Sequence, residues 1–89
     1  MRYEWDPTKA ADNRAKHVAF EEAATVFRDA LSQTGKDPDH SFGEERLITF
    51  GLSTRGRLLV AAHTEHGDTI RIISARLATA VERVIYEEG

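Results

Sequence analysis

The 89-residue sequence has no cysteine. This excludes a disulfide scaffold and any thiolate site, and fits a reducing, cytoplasmic setting. No apolar run approaches the roughly 20 residues that span a bilayer, and no signal-peptide pattern opens the chain, so no membrane partner is expected. Repeats and low-complexity tracts are absent too. There is no excess of positive charge: the formal net charge is −3, which at first argues against a nucleic-acid partner, because phosphate binding needs positive potential. What is present is 40% hydrophobic side chains, enough for one small domain over residues 1–89. A chain this short buries only about 60–65% of its unfolded surface.

The total charge hides an asymmetry. Residues 1–45 carry ten acids against six bases, whereas residues 46–89 carry five acids against six bases, with Glu87 and Glu88 among those five. Every base in the second half is arginine: Arg46, Arg55, Arg57, Arg71, Arg76 and Arg83. Guanidinium forks bind phosphate or carboxylate bidentately, so these residues are either a solvated arginine surface or, if they converge, an anion site.

Arg2 to Trp5 reads as a short strand. Asp6-Pro7 is an N-cap followed by proline at the first helical position, which starts a helix running to about His17 with Ala10, Ala11 and Ala15 as its contact face. Phe20, Ala23, Ala24, Phe27 and Leu31 form a helical stripe for a second helix over about Phe20–Ala30. Ser32–Gly43, with two glycines, a proline and two aspartates, reads as the longest loop. Three strands follow, with Ile48, Phe50 and Leu52, then Leu58, Val60 and Ala62, then Ile70 and Ile72 on one parity, turned at Gly56 and Gly67. Ser74 reads as the N-cap of a last helix that buries Leu77, Val81, Val84 and Ile85. The expected fold is α+β, ordered β-α-α-β-β-β-α, a four-stranded and mainly antiparallel sheet with helices packed on it.

If the even strand positions face the helices, the opposite face carries Glu45, Thr49, Arg57, Leu59, His63 and Arg71, with Arg76 near one end. Three-residue turns would place Leu47, His63 and Arg71 side by side. RNA cleavage without a metal needs one group to take the 2′-hydroxyl proton, another to protonate the 5′-oxygen, and cations for the charged phosphorane. Histidine, carboxylate and arginine supply that set, although an exposed sheet of any charged protein can show it. Trp5 reads as a core anchor. Lys16 and His17 either contact RNA or complement the dipole of a helix C-terminus. Asp37, Asp39, His40 and Glu44 do not fall at a recognised metal spacing, so no metal or other cofactor is expected.

The chain as a whole resembles the BrnT-type toxins of type II toxin–antitoxin pairs, within the RelE-like ribonuclease group. Trp5, Asp6, Lys9, Asn13, Lys16 and His17 stand as W-D-x-x-K-x-x-x-N-x-x-K-H, followed by Phe20-Glu21-Glu22-Ala23. Asp37 and His40 precede Glu44-Glu45-Arg46. Gly51-Leu52-Ser53 leads into Gly56-Arg57-Leu58-Leu59-Val60 and Thr64, then Arg71-Ile72-Ile73-Ser74-Ala75-Arg76, Glu82-Arg83 and Tyr86. The resemblance implies a RelE-like fold and an mRNA-cleaving toxin that arrests translation. It also implies a BrnA-type antitoxin partner, through which alone operator DNA is reached. The site it implies is Arg57, Arg71 and Arg76 at the phosphate, with Arg83 and Tyr86 as C-terminal candidates. The strand reading adds His63 or Glu45 in proton transfer, and Lys16, His17 and Arg46 stand as further RNA contacts. One departure stands out: Val18 follows Lys16-His17 where the family has a helix-stopping glycine. The reading from a different class is a non-catalytic, arginine-faced module that docks a partner protein and acts as co-repressor.

Overall fold

The computed structural model describes residues 1–38 and 45–89. Its elements are β1 (Arg2–Glu4), α1 (Pro7–Lys16), α2 (Phe20–Ala24), β2 (Gln33–Lys36), β3 (Leu47–Leu52), β4 (Leu58–His66), β5 (Thr69–Leu77) and α3 (Ala80–Glu88), with a 3-10 turn over Thr25–Arg28. The five strands form one sheet in the order β1-β5-β4-β3-β2. β1 runs parallel to β5, and the other pairs are antiparallel. The α+β class and the antiparallel β3-β4-β5 meander are as the sequence predicts. No described helix is long and apolar enough to cross a membrane.

The strand count is five rather than four. Gln33–Lys36, inside the predicted loop, adds an edge strand to β3. Its four polar or glycine residues have no apolar alternation to announce it. It is held by backbone pairing and by a 2.7 Å bond between the hydroxyls of Thr34 and Thr49. Asp39, His40 and Glu44 lie outside the described residues.

On β3 and β4 the sheet faces are exchanged relative to the expected parity, whereas Ile70 and Ile72 of β5 point into the core as expected. Thr49, Leu59, Ala61 and His63 are buried, with Leu59 in the core formed by Phe20, Ala23 and Val26, while Ile48 and Phe50 are only half-buried on the other side. Gly51 carries the physical reason. A Cβ there would lie 2.9 Å from the Val26 carbonyl oxygen, so the 3-10 turn presses on the odd face of β3, which must be small. The β4 run Leu58-Leu59-Val60-Ala61-Ala62 is apolar on both parities and could not reveal this. Nor are the turns three residues long at β4–β5: only Gly67 and Asp68 lie between the paired His66 and Thr69. Gly67 sits at φ +59°, where a two-residue hairpin turn favours glycine. A bulge then skips Ile73, because Ala62 pairs with Ser74 but His63 pairs with Ile72. The extra residue lets Ala75 and Ile72 both point into the core despite their opposite parity.

The helices differ at their ends. Asp6 caps α1 as predicted, accepting from the Thr8 and Lys9 amides. Of its alanines only Ala10 packs on the core, and Asn13 is the buried residue. The second helix stops at Ala24 rather than Ala30, since Asp29 draws the chain off by accepting from the Leu31 and Leu52 amides. Leu31 is therefore exposed. The last helix is capped by Thr79 rather than Ser74, in a capping box with Glu82, because β5 continues through Ser74 to Leu77. Its expected buried edge is exposed: Leu77 is 52%, Val81 71%, Val84 50% and Ile85 50% accessible.

Asn13 fixes how α1 meets the sheet. Its amide nitrogen donates to the Val18 carbonyl at 2.7 Å and the Ala75 carbonyl at 2.8 Å, and its oxygen accepts from the Ala75 amide at 3.3 Å. β1 pairs only with residues 69–71 of β5, so the side chain of Asn13 serves Ala75 as a neighbouring strand would. Val18, the departure noted after Lys16-His17, is buried at 3% exposure. The corner needs no left-handed residue there, because His17 ends the helix at φ −139°. Trp5 meets Phe20 edge-on at 5.9 Å, the core anchor that the sequence suggests. Asn13→Ala orphans the buried Ala75 amide and carbonyl together. It should lower stability by about 2–3 kcal/mol in urea denaturation, and a loss below about 0.5 kcal/mol would contradict this role.

Candidate active site

The predicted residues separate into two ends of the sheet and a buried centre. His63 lies at the centre, on the helix side, and not on the open face. It is fully buried, with Nε2 2.7 Å from the Thr49 hydroxyl and its ring edge-on to Phe27 at 4.9 Å. Glu65 approaches Nδ1 to 3.5 Å without completing a hydrogen bond. Burial pushes the imidazole pKa down to about 4, so the ring is neutral at pH 7 and sealed from solvent.

At one end of the sheet, Glu45 is exposed and 3.6 Å from Lys36, Arg46 begins β3's approach through its carbonyl, which accepts from the Asp37 amide, and Arg71 turns towards Glu4 on β1 at 3.4 Å. Arg71 pairs with Thr64 rather than with His63 because the β4–β5 turn has two residues rather than three. Five residues at about 3.3 Å each separate Arg71 from Arg76 along β5, roughly 16 Å. The structure does not bring these two arginines together.

The other end gathers more chemistry. Arg76 forks onto Glu82 with bonds of 2.7 and 2.8 Å. The guanidinium holds the Glu82 carboxyl at a pKa of about 2, and Glu82 in turn raises that of Arg76. Past β1 the C-terminal half of β5 is an edge, and the end of α1 comes round it. Lys16, His17, Arg76, Leu77 and Thr79 line one cleft of about 420 Å³. Lys16 also pairs with Asp12 one helical turn back at 3.3 Å. Three residues from separate parts of the sequence, Lys16, His17 and Arg76, thus share a surface depression. On its open-face side Arg76 also walls a second groove of about 320 Å³, floored by Ile48, Phe50 and Val60.

Arg57, at the turn into β4, goes elsewhere. Its guanidinium clamps Glu22 of α2 in a close bidentate pair, with Nε 2.9 Å from Oε2. Glu22 also accepts from the Ser53 hydroxyl at 2.7 Å and faces Arg55 at 3.5 Å. Arg57 first, then Ser53 and Arg55, hold the buried Glu22 carboxyl at a pKa of about 2 against the opposing effect of burial. This joint was not singled out from the sequence. The signal was Glu22 in Phe20-Glu21-Glu22-Ala23 and the Ser53-Thr54-Arg55-Gly56-Arg57 turn, whose meeting only the fold reveals. Arg83 makes a surface pair with Glu87 at 4.0 Å. Tyr86 donates its hydroxyl to Asp29, which pushes the phenol pKa up to about 12. Among the described residues no three His, Cys, Asp or Glu side chains gather as metal ligands.

A family model described as the ribonuclease toxin BrnT of type II toxin–antitoxin systems matches residues 5–82. No curated protein matches the chain significantly. Among solved structures it is similar to the Brucella abortus ribonuclease toxin BrnT, at 22% identity and a TM-score of 0.64 over 89% of this chain and 97% of that one. At that identity the likeness is one of fold.

Two stability measurements check these environments. His63 has its pKa lowered from 6.5 to about 4, so the unfolded chain binds the proton more readily and stability falls as pH drops through that window. Between pH 7 and 5 the loss should be about 2 kcal/mol, and largely absent in His63→Leu. Glu22→Ala should cost about 3 kcal/mol, because the Arg57 fork and Ser53 lose a buried acceptor. Glu82→Ala, at a more exposed pair, should cost about 1 kcal/mol. Equal costs would show that the Glu22 joint is not the stronger one.

Proposed function

The chain belongs to the BrnT family of ribonuclease toxins of type II toxin–antitoxin systems, and from that membership we propose that it cleaves RNA at the cleft shared by Lys16, His17 and Arg76. The convergence of these three residues carries the reading. The 2′-hydroxyl attacks the adjacent phosphorus, the 5′-oxygen leaves, and the product ends in a 2′,3′-cyclic phosphate. Arg76, with Lys16 beside it, offsets the charge that builds on the phosphorane oxygens. His17 is exposed at the cleft and takes the proton from the 2′-hydroxyl, the proton-transfer role that the sequence assigned to His63 or Glu45, while water protonates the leaving 5′-oxygen. Arg57 acts as a positioning residue through Glu22, and Arg71, Arg46, Arg83 and Tyr86 stand outside the reacting centre. The step requires no metal in this reading.

In the cytoplasm such an activity arrests translation until a BrnA-type antitoxin covers the cleft, and operator DNA is met only through that antitoxin. One observation favours the second reading, a non-catalytic co-repressor module. Arg57, Arg71 and Arg76 each already hold a carboxylate, and α3 turns apolar side chains outward. That reading expects tight antitoxin binding and no cleavage at any enzyme concentration.

Purified protein should cleave single-stranded RNA in excess EDTA and leave cyclic-phosphate ends. Arg76→Ala should lower kcat/KM by about 10²–10³, and His17→Gln by about 10². Arg71→Ala should stay within about threefold of wild type, since it removes only a remote surface charge. Growth arrest on expression should follow the same order. Equal activity of Arg71→Ala and Arg76→Ala would overturn the site assignment, and absence of cleavage by wild type would favour the binding module.

A further inference from the structure

The open side of the sheet carries a row of side chains of which the cleavage step uses only Arg76. Gln33, Phe50, Val60 and Arg76 are successive partners across β2, β3, β4 and β5, so they share one face at the inter-strand spacing of about 4.8 Å. Among the described residues Phe50 is the ring that the sheet turns to this side; Phe20 is in the core, and Tyr3, Trp5 and Phe27 pack against it from the other side. Phe50 is only half-buried, and it floors the 320 Å³ groove whose wall is Arg76. That volume lies at the small end of ligand sites. Lys36 stands at the groove's outer rim, and Gln33 is held by a 3.5 Å bond from its amide nitrogen to the Tyr86 carbonyl.

We propose that this groove is a nucleobase subsite, in which one base of single-stranded RNA stacks on Phe50 while its neighbouring phosphate lies on Arg76. The inference rests on the ribonuclease reading and extends it from the reacting bond to the adjoining nucleotide. A base has a flat apolar face and polar edges, and the groove offers an aromatic floor with polar rims. Arg76 lies in both depressions at once, in the groove over Phe50 and in the cleft of Lys16 and His17. A strand seated there has its phosphate between the two and its base to one side. Phe50 and Arg76 are two strands apart, about 10 Å between backbones, a gap that their side chains narrow to the scale of a nucleotide. An apolar side chain of a protein partner would fill the floor equally well but has no use for the cation beside it, whereas a phosphate can take the place of Glu82, which also lines the groove, on Arg76.

The test uses a short 2′-fluoro RNA, which lacks the attacking hydroxyl, carrying a single 2-aminopurine whose fluorescence is quenched by stacking. Wild type should bind it and quench it. Phe50→Leu keeps the apolar floor but removes the ring; its urea midpoint should stay near wild type, while anisotropy shows about tenfold weaker binding and the quench is lost. On cleavable RNA, the same variant should raise KM about tenfold and leave kcat within threefold. Phe50→Leu that binds and quenches like wild type overturns the subsite, and so does a variant whose only loss is antitoxin affinity. In both cases wild-type cleavage of RNA leaves the ribonuclease reading standing. A wild type that neither binds nor cleaves RNA removes both.

Discussion

The arrangement depends on one buried amide. Asn13 makes three hydrogen bonds, one to the corner carbonyl of Val18 and two to the backbone of Ala75. Without it, the exposed half of β5 would have an unpaired amide and carbonyl at a fully buried position, which is costly in a thin core. With it, the last turn of α1 is locked against the strand residue next to Arg76. Lys16 and His17 then line one cleft with Arg76 because of where Asn13 sits, three and four positions before them at the end of α1. A short polar contact thereby determines the composition of a surface cleft.

Other joints follow the same logic. Glu22 ties α2 to the β3–β4 turn through Arg57 and Ser53. Asp29 ties the end of the 3-10 turn to Leu52 and to Tyr86 of α3. Helix α3 is thus moored by polar groups, Glu82 and Tyr86, while Val81, Val84 and Ile85 face outward. This reverses the usual amphipathic arrangement, and it is why a helix that reads as core-packed from its apolar spacing is not.

This explains which parts of the fold were legible in the sequence. The Asp6-Pro7 start, the glycine turns and the meander depend on local chemistry and were readable. Strand β2 was not, because it is polar and held by its neighbour. The sheet faces were not, because β4 is apolar on both sides and the decisive residue, Gly51, signals a close approach only once Val26 is known to lie above it. Thr79 and Glu82 did spell a capping box, and would have moved the last helix start from Ser74. At the site, Arg76, Lys16 and His17 were visible as residue types, but their meeting depends on Asn13 and on the bulge at Ile73. His63 was misplaced because the face exchange of β4 and the two-residue turn after it are invisible to a fixed alternation.

The pair between Arg76 and Glu82 has a thermodynamic consequence for any anionic ligand. Glu82 acts as a resident counterion. A phosphate that takes its place on the guanidinium exchanges one ion pair for another, and releases fewer salt ions from solution than a phosphate landing on an unpaired arginine. Added salt screens the resident pair together with the incoming one. The slope of affinity against salt concentration therefore understates the number of arginine–phosphate contacts, and the cation is kept soluble and oriented while it waits.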